Sequence, residues 1–159
     1  MSPDQVAFLE QARVAHLATV DAAGRPHLVP VCFACHGGLL YTPIDEKPKR
    51  TPATALRRVR NILLHAEVCL LVDRYDEDWT KLAWLQVHGR AALVEETSER
   101  TAALSALRDR YPQYKEMDLE SRPLIRVTPL RVVAWAASDS VPVTPSPPPS
   151  PRGRGNLSR

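Results

Sequence analysis

Apolar residues recur along this chain in short runs that read as strands, broken by turns and by three stretches of helical spacing. "VAHLATV" (14–20), "HLVPVCFAC" (27–35) and "LLYTPI" (39–44) are predicted strands, joined by the turns "DAAGRP" and "HGG" into an antiparallel meander. "EVCLLVDRY" (67–75) predicts a fourth strand. "LAWLQVHGRAALVEE" (82–96) predicts a long fifth, with Gly89 as a bulge or bend. The last, "LIRVTPLRVVAWA" (124–136), is interrupted by Pro129, which suggests an edge or a kink.

Three helices are expected between them. Ser2-Pro3-Asp4-Gln5 spells a capped start, with Ser2 as cap and Gln5 closing a capping box, for a helix running to about Arg13 over Val6, Leu9 and Val14. Leu56, Val59 and Leu63 recur at helical spacing in 52–65, with Ala55 and Ile62 widening the apolar face and Thr54, Arg57, Arg58 and Asn61 opposite. A third helix, about Ser98 to Tyr111, is expected to bury Ala102, Leu104 and Leu107. Beyond Ser138 the Pro/Ser-rich run cannot pack a core. The expected organisation is one folded domain at 1–137 and a disordered Pro/Ser-rich tail at 138–159. Six strands, mostly hairpin-linked, with three helices make an α+β fold built on an antiparallel six-stranded barrel.

Charge changes this picture only locally. The tail from Ser138 holds three arginines against Asp139, so it carries +2 of the net +3, and the body is close to neutral. That argues against a nucleic-acid binder, whose positive charge spreads along a face. No apolar run approaches the ~20 residues of a membrane span, and no secretory leader is visible at the N-terminus, so a cytoplasmic protein is expected. Within the body, residues 45–60 concentrate Lys47, Lys49, Arg50, Arg57, Arg58 and Arg60 against Asp45 and Glu46.

"CFACH" (32–36) spells C-x-x-C-H, the pattern of covalent haem attachment. Residues three apart on a strand point to opposite faces, so Cys32 and Cys35 should diverge, and a structural reading is preferred. Cys69 reads as a small buried apolar residue. Asp76, Glu77 and Asp78 lack a further ligand set for a metal and read as a solvated loop or as salt links to arginines of a second subunit. His16 and His27 sit on strands as proton-donor candidates, with a structural role favoured. Trp84, Gln86 and His88 share one strand face, and Trp84 reads first as core or interface.

"DEKPKRTP" (45–52) sets its cations among two prolines just before a predicted helix. Thr51 followed by Pro52 repeats the grammar of Ser2-Pro3, making Thr51 the expected N-cap and Pro52 the first helical residue. The start of a helix leaves N–H groups unpaired and favours anions by ~0.3–1 kcal/mol when exposed. Charge-assisted bonds from Lys47, Lys49 and Arg50 are stronger. A solvated connector is the plain alternative, but rigid prolines bracketing the cations favour a seat for a phosphate or carboxylate. Arg57 and Asn61, one helical turn apart, could extend the same track.

"RVAHLATVDAAGRPHLVPVCFA", "LLYTPIDEKPKRT", "RRVRNI" and "VCLLVDRYDEDWTKLAWLQVHGRA" together resemble the pyridoxamine 5'-phosphate oxidase-like (PPOX) split-barrel proteins, over about residues 5–136. The order of "KPKRT", "RN" and "DEDW" resembles most the branch that uses the deazaflavin coenzyme F420. The resemblance implies a homodimer with two cofactor sites at the subunit interface. It places Val29, Pro30 and Val31 along the ring, and Lys47, Lys49, Arg50 and Thr51 on the phosphate and glutamyl carboxylates, with Arg57 and Asn61 further along. Trp79, Trp84 and Gln86 would border the ring from the partner subunit. The implied activity is an F420-dependent oxidoreductase passing a hydride to a small electrophile such as a conjugated carbonyl, a tetrapyrrole or a quinone. No catalytic side chain is named, because the cofactor carries the hard step. Two alternatives remain: an FMN-dependent oxidase or reductase on the same barrel, and a non-catalytic protein holding flavin, deazaflavin or haem.

Overall fold

The computed structural model describes residues 1–46 and 52–138. Among these, three α-helices and seven strands alternate: α1 (Pro3–Gln11), β1 (Ala15–Val20), β2 (Pro26–Val31), β3 (Ala34–His36), β4 (Leu39–Pro43), α2 (Arg57–Leu64), β5 (Glu67–Arg74), β6 (Ala83–Leu93), α3 (Thr97–Arg110) and β7 (Leu124–Ala136). The strands form one antiparallel sheet in the order β2-β1-β5-β6-β7-β4-β3. Its two end strands, β2 and β3, are separated in sequence by only Cys32 and Phe33. A flat sheet could not bring its ends so close. The sheet therefore curls on itself into a split barrel.

That break is where the sequence reading of one strand over 27–35 is corrected to two. The inside-outside alternation runs on through Val31, Cys32 and Phe33, but the pairing partner changes from β1 to β4. Tyr111 bridges the gap. Its hydroxyl accepts from the Phe33 N–H (3.1 Å) and lies 2.9 Å from the carbonyls of both Phe33 and Arg13, with one proton to share between them.

Alternation places one set of side chains inside the curl. Leu17, Val31, Phe33, Leu70, Leu85, Val87 and Ile125 belong to this main core, which α1 enters through Phe8 and Leu9. A second core lies where α3 covers β3 and β4, through Tyr41, Leu104, Leu107, Tyr111 and Leu124. Cys35 packs against the first core and Cys32 against the second, so the two free thiols face opposite ways. In α3 it is Ala103, not Ala102, that is fully buried beside Leu104 and Leu107. The helix is clasped to the sheet by Glu99, which accepts from the Tyr41 hydroxyl (2.9 Å) and from Arg126 Nη1 (3.0 and 3.1 Å).

The start of α1 follows its sequence. Gln5 N–H donates to Ser2 Oγ (3.2 Å) and Ser2 N–H to Gln5 Oε1 (3.0 Å), the reciprocal capping box. Its end does not: the helix stops at Gln11, and Val14 is exposed.

The second helix departs further. Pro52 is extended (φ −52°, ψ 146°), a 3₁₀ turn occupies Ala53–Ala55, and Leu56 is extended again before α2 begins at Arg57. Pro52 is therefore not the first residue of α2, and the start expected at Thr51 is corrected. Ala53 and Leu56 pack on the main core, and that packing overrides the local start signal in so short a helix. Val59 and Ile62 are buried as expected, whereas Leu63 is 67% exposed.

Gly89 does mark a bulge. The β6–β7 register shifts between His88 and Gly89, which sits opposite Pro129. A Cβ at Gly89 would fall against the Thr128 carbonyl oxygen and 2.9 Å from Val127 Cγ1. Pro129 needs no second partner, because β7 pairs with β4 only through Leu124–Val127.

Candidate functional site

The turn between β1 and β2 is built by Asp21. Its carboxylate accepts from the backbone N–H groups of Ala23 (2.9 Å) and Arg25 (3.0 Å), while Gly24 takes the positive φ (77°) the turn requires. The second oxygen of Asp21 pairs with Arg25 Nε at 2.9 Å. The Arg25 backbone N–H, followed by its side chain and Ala23, holds the Asp21 carboxyl below its usual range. Arg25 is thereby anchored at the tip of the hairpin.

Beneath that tip lies α2, pinned by one buried bond. Asn61 (3% exposed) donates from Nδ2 to Oγ1 of Thr19 (1% exposed) at 2.9 Å. Thr19 in turn points at the His27 carbonyl, at 3.5 Å. With Asn61 inward, Arg57, Arg60 and Leu64 flank it and face the hairpin. Together with Asp21, Arg25 and Asn61 they line a cleft of about 310 Å³.

The cleft's charge is lopsided. Three guanidinium groups meet a single carboxylate, and that carboxylate already belongs to Arg25. Among the described residues, Arg57 and Arg60 have no ion-pair partner. The field reaches β2: burial, then Arg57 and Arg58, push the His27 imidazole below its ordinary value of 6.5. The cleft is thus shaped to take a multiply charged anion, with neutral His27 beside it. Arg60 belongs to the basic cluster that the sequence shows at 45–60, whereas Arg25 was not singled out. Its one signal was an arginine in the "DAAGRP" turn, and nothing local tells that the turn tip lies over α2.

The other sequence-derived site residues fall in three places among the described residues, with one group outside them. Lys47, Lys49, Arg50 and Thr51 lie outside the described residues. On β2, Val29 and Val31 turn toward the main core and Pro30 is exposed on the outer face. Since β2 ends the sheet order, its outer backbone edge has no strand partner among the described residues. Trp84 and Gln86 lie half-buried on the outer face of β6, where Trp84 stands between Asp73 of β5 and Trp135 of β7. Trp79 is exposed, in a 3₁₀ turn at Trp79–Lys81 whose cap, Asp78, accepts from the Thr80 N–H (3.1 Å). One copy of the chain therefore does not gather the tryptophans at the cleft. Among the described residues no group of three or more His, Cys, Asp or Glu is disposed to hold a metal, and no helix is long and apolar enough to cross a membrane.

A curled antiparallel barrel, split between β2 and β3 and carrying a cationic cleft at its β1–β2 turn, defines a split-barrel protein. The chain belongs to the pyridoxamine 5'-phosphate oxidase family, which it matches over residues 1–136. Solved structures share the fold. A conserved hypothetical protein, Rv2991, from Mycobacterium tuberculosis superposes with a TM-score of 0.70 at 21% identity, over 86% of each chain. HutZ, a haem storage protein from Vibrio cholerae, gives 0.65 at 17% identity, over 85% of this chain and 93% of that one. An FAD-binding protein from Mesorhizobium loti gives 0.62 at 19% identity, over 84% and 94%. No curated protein sequence matches the chain.

Proposed function

We propose that the chain is an F420-dependent oxidoreductase of this family, working as a homodimer on a small electrophilic substrate. The observation that carries this is the cleft, in which Arg57 and Arg60 have no ion-pair partner among the described residues and stand beside an Arg25 already anchored by Asp21. A single phosphate, as on FMN, needs fewer cations than a phosphate followed by glutamyl carboxylates. Lys47, Lys49, Arg50 and Thr51 are assigned to the phosphate end of the same tail. When bound, the reduced deazaflavin supplies the hydride. The chain's part is to bind and orient. The arginines anchor the tail, the free backbone edge of β2 offers N–H and C=O groups to a heterocycle, and Pro30 caps its outer side.

The dimer is proposed from the outer face of the sheet. Leu28 is 60% exposed on β2 with Pro30 open beside it, Trp135 is 44% exposed on β7, and Leu71, Trp84 and Val133 are half-buried. These apolar side chains, interleaved with His16, Gln86 and Asp73, form the surface offered to a second copy. On a second copy it would bring Trp84, Gln86 and Trp79 toward the ring.

The test is to titrate the full chain separately with F420 and with FMN, following cofactor fluorescence. F420 is expected to bind. The double variant Arg57→Ala, Arg60→Ala is expected to bind it roughly 2- to 30-fold more weakly, since each exposed ion contact contributes about 0.2–1 kcal/mol. Binding of FMN and not F420 overturns the cofactor. Unchanged F420 affinity in the double variant removes the tail from the cleft. A bound reduced cofactor that no acceptor oxidises returns the chain to a binding role, as HutZ is named for haem.

A further inference from the structure

Where α1 crosses the end of β5, a crevice of about 290 Å³ holds a guanidinium that nothing in the chain engages as a donor. Leu71 of β5 pairs with His16 near the start of β1, whereas the cationic cleft opens at Asp21, beyond the end of β1. The six residues of β1, at ~3.3 Å each, set the two places roughly 20 Å apart.

The guanidinium is that of Arg74. Strand alternation gives it the inward side that Val72 also takes, and its Cζ stands 5.3 Å from the ring centroid of buried Phe8. Its Nε is shielded from solvent and has no hydrogen-bond partner. Among the described residues the side chain makes no ion pair either. An unpaired buried N–H is costly, so this one is poised for an acceptor from outside the chain. We propose that the crevice binds a short aliphatic monocarboxylate, received by Arg74.

The charges nearby leave that role open. Asp73 is the one carboxylate in the lining, but it follows Val72 onto the opposite strand face, exposed beside Trp84 of β6. Asp76, further along, is turned to Lys81 at 3.9 Å. Neither caps the guanidinium, whose planar N–H fork matches the two oxygens of a carboxylate.

The walls select the body of the ligand. The ring of Phe8 already meets the guanidinium, so the apolar wall left for a ligand is that of Ala12 and Val72, which suits a methylene chain. Gln11 and Tyr75, both exposed, stand at the rim. A cavity of about 150 Å³ takes benzene, so this volume has room for a chain of about six carbons and its carboxylate.

The proposal does not depend on which cofactor the cleft takes. Its probe is hexanoate, with neutral hexanamide as control, titrated into the full chain. The Arg74 Nε–H resonance, identified by its loss in Arg74→Gln, is followed by proton–nitrogen NMR together with the backbone amides of Ala12 and Tyr75. Hexanoate is expected to shift all three saturably and to bind at least tenfold more tightly than hexanamide, as a charge-assisted contact provides. In Arg74→Gln the two probes should bind alike. Gln11→Trp, at an exposed position, should close the crevice to both and serves as the test if Arg74→Gln fails to fold. The double variant Arg57→Ala, Arg60→Ala should leave the response intact, which separates this crevice from the cleft. An Nε–H indifferent to hexanoate would show that water satisfies the donor and would overturn the proposal. So would equal affinity for the two probes in the parent, a response retained in Gln11→Trp, or a response lost with the cleft arginines.

Discussion

His27 is the side chain that reports on the cleft. Desolvation and the two nearby arginines hold its pKa below 6.5, so it is neutral at pH 7. A bound anion offsets the charge of Arg57 and should raise that pKa back toward 6.5 or beyond. By linkage the same anion binds more tightly as pH falls through the His27 titration, because protonated His27 adds a cation to its surroundings. In the free protein the sign for stability is also fixed. A depressed imidazole contributes stability that is present above pH 6.5 and is lost as pH falls through its lowered folded value. Following the imidazole by NMR across pH, with and without F420 or citrate, checks both. A His27 that titrates at or above 6.5 in the free protein, or ignores the anion, contradicts this electrostatic picture. Sequence placed His27 on a strand and preferred a structural role. Its position beside Arg57 depends on two segments thirty residues apart, which no local pattern reports.

Among the elements, the β7 bulge opposite Gly89 is the most exacting. Gly89→Ala forces a methyl against the Thr128 carbonyl and Val127, so β7 must move away from β6 or the bulge must open. The expected cost is about 1–3 kcal/mol, the usual range for overpacking, read as a lower midpoint in urea with an unchanged slope. A variant as stable as the parent would mean the close approach is not kept in solution. That bulge was legible because glycine inside a strand pattern has few other meanings. The strands were legible too, since each buries one face. The division of β2 from β3 was not: alternation continues unbroken across Cys32–Phe33, and only the choice of partner strand changes. The helix start misled for the reverse reason. Thr51-Pro52 is a sound local signal, but the eight residues of α2 owe their limits to where Ala53, Leu56, Val59 and Ile62 meet the core.

At the scale of the molecule, the residues the resemblance assigned to one site lie on two sides of the barrel wall. Arg57 and Asn61 sit with the cleft under the hairpin, and Trp84 and Gln86 on the outer sheet face. A single copy does not unite them; a second copy seated on that face would. A stable pair buries ~800 Å² per partner, and the face spanning β2, β1, β5, β6 and the second half of β7 is broad enough to supply it. Trp135→Asp places a charge beside Trp84 on that face and should yield a monomer by light scattering. Because Trp135 is half-open and pairs only with Trp84 across the strands, the fold itself should survive, as circular dichroism would register. The monomer keeps Arg25, Arg57 and Arg60 but loses the partner's tryptophans. It should therefore still bind a short oligoanion while its affinity for F420 falls sharply. A wild-type chain that is already monomeric, or a monomeric variant that binds F420 as well as the parent, would place the whole cofactor site within one subunit.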